Sequence, residues 1–167
     1  MSNEVLNTVI VNAIITGVAA GVIGTLVMDM FNYLFARAGK ISKIDISMIG
    51  RMTAGWLSGR FFYENPAELK QVTNEIFLGI VTHYAIGISL ALPYVLGWHL
   101  FIGGSNSAAW AIPYGILTTV ASWFFVFPSM GLGICGLKSP EKLKATFSSL
   151  ANHIFYGIGL AFGITLM

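Results

Sequence analysis

Hydrophobic residues in this chain gather in four long runs, Val5 to Ala36, Ile76 to Trp98, Ala108 to Phe127 and Phe147 to Met167, separated by polar segments. Each run meets or exceeds the ~20 residues an α-helix needs to cross a hydrocarbon core of about 30 Å. The runs are continuous, whereas the strands of a membrane barrel alternate in segments of about ten residues. The pattern predicts an all-α membrane protein, a single domain over residues 1–167 with four transmembrane helices and loops over 37–75 and 128–146. In the first loop Met48, Ile49, Met52, Trp56 and Leu57 recur at helical spacing beside Ser47, Arg51 and Ser58. That spacing predicts a short interfacial helix beginning near Asp45. The second loop opens at Pro128, runs through Gly131 and Gly133 and breaks again at Ser139 and Pro140, so irregular backbone is expected there.

Steps of four along each run expose what faces inward. The first helix gives Ala13, Gly17, Gly21, Thr25 and Asp29; the second gives Glu75, Gly79, His83, Gly87 and Ala91. The third gives Ala111, Gly115, Thr119 and Trp123, and the fourth Ser149, His153, Gly157 and Ala161. Small residues at this spacing let helix backbones approach closely, which is how helices associate where lipid removes the hydrophobic drive between them. The segments HYAIGISLA from His83 and HIFYGIGLA from His153 share His, Gly, Ile, Leu and Ala at identical offsets. A looser match joins Gly21–Phe31 to Gly115–Phe125. These matches predict two duplicated hairpins related by an axis along the membrane normal.

Composition agrees with lipid as the solvent: 56% of the 167 residues are hydrophobic and 10% charged, against roughly 25% charged in a soluble domain. The first run lacks a basic leading segment, is too long for a signal peptide and carries Asp29, so it is expected to stay in the mature protein. All nine Lys and Arg residues fall in the two long loops. Because basic residues accumulate on the cytoplasmic side, both loops are expected inside, with the N- and C-termini outside. Cys135 is the sole cysteine, which excludes an intrachain disulfide and a cysteine-based zinc site. The net charge of +2 gives no sign of a nucleic-acid partner. No P-loop, G-x-S-x-G or H-x-x-x-H motif is present, so catalysis has no support in the sequence.

Asp29, His83 and His153 all fall roughly 12 Å inside the loop-bearing ends of their helices, at about 1.5 Å per residue. An ionised Asp in hydrocarbon costs at least about 2.5 to 3.5 kcal/mol, so such a residue is normally kept for a role and given a partner. In an up-and-down bundle the two histidines face one another across a diagonal, and Asp29 faces Trp123. Three roles fit this polar layer: proton exchange between the histidines and Asp29, a divalent metal held by Asp29, His83 and His153, or axial ligation of a haem. Haem is disfavoured because small-residue stripes close the slot a porphyrin needs. Arg51 is the expected counter-charge and Glu75 the entrance group.

The residues in this order resemble a family of small bacterial inner-membrane proteins known as a domain of unknown function. The resemblance rests on Met28-Asp29, Gly50-Arg51, Glu75 with Gly79 and His83-Tyr84, then Pro128, Met130, Gly131 and Gly133, then His153, Gly157, Gly159 and Leu160. Phe127, where a polar residue is usual, and Ser139, where Thr is commoner, depart from the pattern. The resemblance implies architecture and location but no activity. The leading expectation is therefore a small transporter or channel-like protein, a homo-oligomer in the bilayer that moves a small ion or solute through the Asp/His layer. A membrane-embedded metal or haem redox protein, and an accessory subunit of a larger complex, are the alternatives.

Overall fold

The computed structural model describes residues 3–102 and 107–167. Among these residues there is no strand. The chain forms α1 (Asn3–Arg37), α2 (Ile46–Leu57), α3 (Glu75–Gly97), α4 (Ala108–Ala121) and α5 (Lys142–Thr165). A π turn, Trp98–Ile102, extends α3, and another, Ser122–Val126, carries α4 on to Ser129. With those extensions, α1, α3, α4 and α5 are each long and apolar enough to cross a membrane. Their outer faces expose residues such as Leu26, Phe77, Leu117 and Phe162, as befits a multi-pass membrane protein solvated by lipid. The fourth spanning helix begins at Lys142, five residues before the apolar run. Lys and Leu are good helix formers, so backbone order outlasts the hydropathy that marks the lipid-facing part.

Small residues set the helix order. The stripe of α1 meets that of α3: a Cβ on Gly21 would stand 2.7 Å from the Ile88 Cα, and one on Gly87 2.0 Å from the Thr25 Oγ1. In the same way α4 meets α5, where a Cβ on Gly115 would lie 2.5 Å from the Gly157 Cα. A second face of α5 packs on α1, with Gly159 against Gly24 and Gly163 against Ala20. The central helix is thus α5, pressed between α1 and α4, and α3 stands diagonally from it. By contrast α3 and α4 scarcely touch.

At the end that carries the basic loops, α2 fills the gap between α3 and α4. Asp45 caps it, accepting the Met48 N–H at 3.0 Å. Two glycines let it lie directly on α3: a Cβ on Gly50 would fall 1.8 Å from the Glu75 carbonyl oxygen, and one on Gly79 2.0 Å from that of Ile46. Arg51 donates to both Glu75 oxygens at 2.7 and 3.0 Å, and the Thr53 hydroxyl, which donates to the Ile49 carbonyl at 2.8 Å, accepts from Thr82 Oγ1 at 2.9 Å. On its other side Trp56 packs 5.4 Å from the Phe125 ring. The two basic loops also meet, through Lys138 Nζ on the Glu64 carboxylate at 2.6 Å. Gly131, at φ +72°, is pressed against the Asn65 backbone.

Candidate functional site

Between the helices at the basic-loop end lies a cavity of about 260 Å³, walled by all five helices and by the segments following α1 and α4. Exposed Lys43 and Asp45 stand at its outer end, and Gly87, Leu90 and Tyr156 at its inner end. Counting along α3 at about 1.5 Å per residue, the inner end is about 18 to 22 Å from Glu75, near the middle of the bundle. Tyr156 closes it by donating to the Gly87 carbonyl at 2.6 Å, and Tyr114 donates to the Leu90 carbonyl at 2.6 Å. Beyond that level Ala91, Val95, Ala111 and Leu160 are fully buried. The cavity is open toward one end of the bundle and stoppered at the other. A shallower depression on the far side of this stopper is lined by Pro93, Tyr94, Trp98 and Tyr114, again along the α3–α4 seam.

His83 and His153 both line the cavity. The His83 ring is buried, and its Nε2 lies 2.8 Å from an Asp29 carboxylate oxygen. Tyr84 donates to the other Asp29 oxygen at 3.2 Å. Asp29 does not itself line the cavity: it stands behind the imidazole, because the α1 stripe faces α3 along its whole length. The carboxylate accepts the Nε2 proton, so in the neutral ring Nδ1 is the nitrogen carrying the lone pair.

His153 is oriented from the other wall. Its Nδ1 is 2.8 Å from the Thr118 Oγ1, and that hydroxyl is 2.6 Å from the Gly115 carbonyl. A carbonyl only accepts, so the hydroxyl proton goes to Gly115 and the imidazole N–H must supply the proton toward Thr118. The lone pair of His153 is left on Nε2. Each histidine therefore has one nitrogen tied to protein and the other unclaimed.

The remaining expected site residues stand apart. Arg51 is engaged by Glu75 and not by Asp29, since α2 lies across the first turn of α3 and brings guanidinium and carboxylate together. Glu75 is correspondingly a clasp for α2, outside the cavity lining. Trp123 sits in the π turn of α4, outside the cavity lining, and its Nε1 is buried without a hydrogen-bond partner. Among the described residues no three His, Cys, Asp or Glu side chains come together as a metal group, because Asp29 lies behind His83 on the side away from the cavity.

A family described as a protein of unknown function, DUF2938, matches residues 18–167 by its sequence model. The chain belongs to that family. No curated protein and no solved structure matches the chain. The matched span takes in the whole site, from Met28 to Tyr156. Family membership thus identifies the architecture's kin and leaves the chemistry to the geometry.

Sequence reasoning missed the amide network on the α1–α5 side. Asn32 Nδ2 donates to the Ser42 carbonyl at 3.0 Å and to Asn152 Oδ1 at 3.1 Å, while its own Oδ1 accepts the Ile44 N–H at 3.1 Å. Ser148 Oγ accepts the Ser42 N–H at 2.7 Å. These bonds fix residues 42–44 as part of the cavity wall. The signal was present in Asn32 and Asn152, two amides inside apolar runs where an unsatisfied polar group is costly. Neither falls on the stripes of small residues.

Proposed function

We propose that the protein is a small-solute carrier of the bacterial inner membrane, with the cavity opening to the cytoplasm and the Asp29–His83 pair coupling its occupancy to protonation. One observation carries this reading: the imidazole that lines the cavity is hydrogen-bonded, 2.8 Å away, to a carboxylate held outside it. A proton or charge arriving at His83 from the cavity is stabilised by Asp29 without the carboxylate leaving its seam. A stoppered cavity supports a carrier over an open channel. Tyr114 and Leu90 stand between it and the depression on the far side, so opening one and closing the other is a movement of α4 against α3, the seam least tightly packed. The clustering of basic residues in the two loops favours the cytoplasmic orientation. The matching HYAIGISLA and HIFYGIGLA segments support a duplicated hairpin, in which α2 has been placed in one of the two equivalent seams.

The test is Asp29→Asn in proteoliposomes containing a pH-sensitive dye, with a potassium diffusion potential imposed. The wild type is expected to move protons at a rate that falls at least tenfold in the variant. Equal rates in the two proteins, or none in either, overturn the reading.

A further inference from the structure

Methionine is unevenly placed around the cavity. Met28 on α1, Met48 and Met52 on α2, and Met130 after α4 all line it. Met28, Met52 and Met130 are buried, at 9%, 0% and 7% exposure, whereas Met30 and Met167 lie on the outer surface at 52% and 60%. A methionine fills irregular space in a core, and its thioether is at the same time a soft donor. These four side chains line one cavity. Around that same cavity the two histidines each keep one nitrogen lone pair free, their other nitrogens held by Asp29 and by the Thr118–Gly115 chain.

We propose that this cavity binds a soft monovalent cation of the Cu(I) or Ag(I) class, ligated by His83 Nδ1, His153 Nε2 and one or two thioethers drawn from Met28, Met48, Met52 and Met130. Thioether and imidazole ligands select soft ions, and neither hard Mg²⁺ nor Ca²⁺ suits them. The polar layer acquires a division of labour on this assignment. A metal-bound histidine almost always gives its other N–H to a carboxylate or an oxygen acceptor, which fixes the tautomer and raises the basicity of the ligating nitrogen. Asp29 does this for His83, and Thr118 for His153. Asp29 also supplies a negative charge that offsets the ion. That the ion is the carrier's cargo rests on the function proposed above; its binding does not.

The experiment is equilibrium competition for Ag(I), a redox-inert probe, between the purified full-length protein in chloride-free detergent buffer and a chromogenic soft-metal chelator. One equivalent of Ag(I) is expected to pass to the wild type. The variant with Met28, Met48, Met52 and Met130 all changed to Leu, which conserves volume, is expected to bind at least tenfold more weakly, as is His153→Gln. Asp29→Asn is expected to lose about 10- to 100-fold, the usual cost of a lost outer partner. Met30→Leu should bind as the wild type does, and excess Zn²⁺ should not displace Ag(I). Thermal unfolding of each variant without metal verifies that the bundle is intact. Ag(I) left entirely with the chelator, an unchanged affinity in the fourfold Met-to-Leu variant, or displacement by Zn²⁺ overturns the assignment. Proton movement by a wild type that binds no Ag(I) removes the cation and leaves the carrier. Ag(I) binding without proton movement does the reverse.

Discussion

At the scale of single residues, Asp45 shows how a polar loop becomes a wall of the cavity. Its carboxylate accepts the Ser47 hydroxyl at 2.6 Å and the Met48 N–H at 3.0 Å, starting α2 where the chain leaves the α1 end. Burial pulls this carboxyl upward, but the hydrogen bonds from Ser47 and from the Met48 and Ser47 backbone outweigh it and hold its pKa below the ordinary value. A group whose folded pKa is depressed contributes stability above its unfolded value and loses it as pH falls through the folded one. The cap should therefore hold at neutral pH and weaken below about pH 4, the ordinary range of Asp. Asp45→Ala should cost α2 about 1 kcal/mol at neutral pH, and the difference from wild type should shrink on acidification. Amide exchange at Met48 and Ile49 measures both; a variant protected as well as wild type at pH 7 shows that the cap does not hold the helix.

At the scale of elements, helix-to-helix approach is decided by a few glycines, and those were legible. Gly21, Gly79, Gly87, Gly115 and Gly157 all fall on the steps-of-four stripes and all stand where a Cβ would strike a neighbour. What the stripes could not show is that α5 has two packing faces. Its stripe through Ser149 and Gly157 meets α4, while Asn152, Tyr156, Gly159 and Gly163 form the face toward α1. One stripe per helix is a natural reading of a ring of helices, and it fails for a helix clasped on both sides. The gathering of Met28, Met30, Met48, Met52 and Met130 toward the basic-loop end is legible in the sequence and suggests packing before a soft metal, but spacing does not say which of them line a cavity: Met30 does not. The position of α2 was foreseen from Asp45 and the apolar spacing, but its intimacy with α3 depends on Gly50. Gly50→Ala puts a methyl group 1.8 Å from the Glu75 carbonyl oxygen. Overpacking against backbone should cost about 3 kcal/mol or more, seen as a lower unfolding temperature in detergent and loss of the Arg51–Glu75 clasp. An unshifted transition would mean that α2 can rise off α3 at little cost.

At the scale of the molecule, the asymmetry of charge and cavity is the organising feature: the basic loops, α2 and the open end of the cavity share one end of the bundle. The proposed orientation makes a direct prediction about access. In a Cys135→Ser background, Lys40→Cys should react with a membrane-impermeant maleimide only after cells are permeabilised, whereas Ser107→Cys should react in intact cells. The opposite pattern would invert the protein in the membrane and place the cavity mouth outside.

The two seams that build the site also differ in when they can form. The Asp29–His83 bond joins α1 to α3, which leave the ribosome ahead of α4 and α5, whereas His153, Asn152 and Tyr156 arrive only with α5. An aspartate entering lipid alone is expensive, and one that meets its imidazole as the second span inserts bears that cost briefly. The order of synthesis thus stores the acidic group safely before the cavity exists. Insertion of α5 between α1 and α4 is then the step that encloses the site.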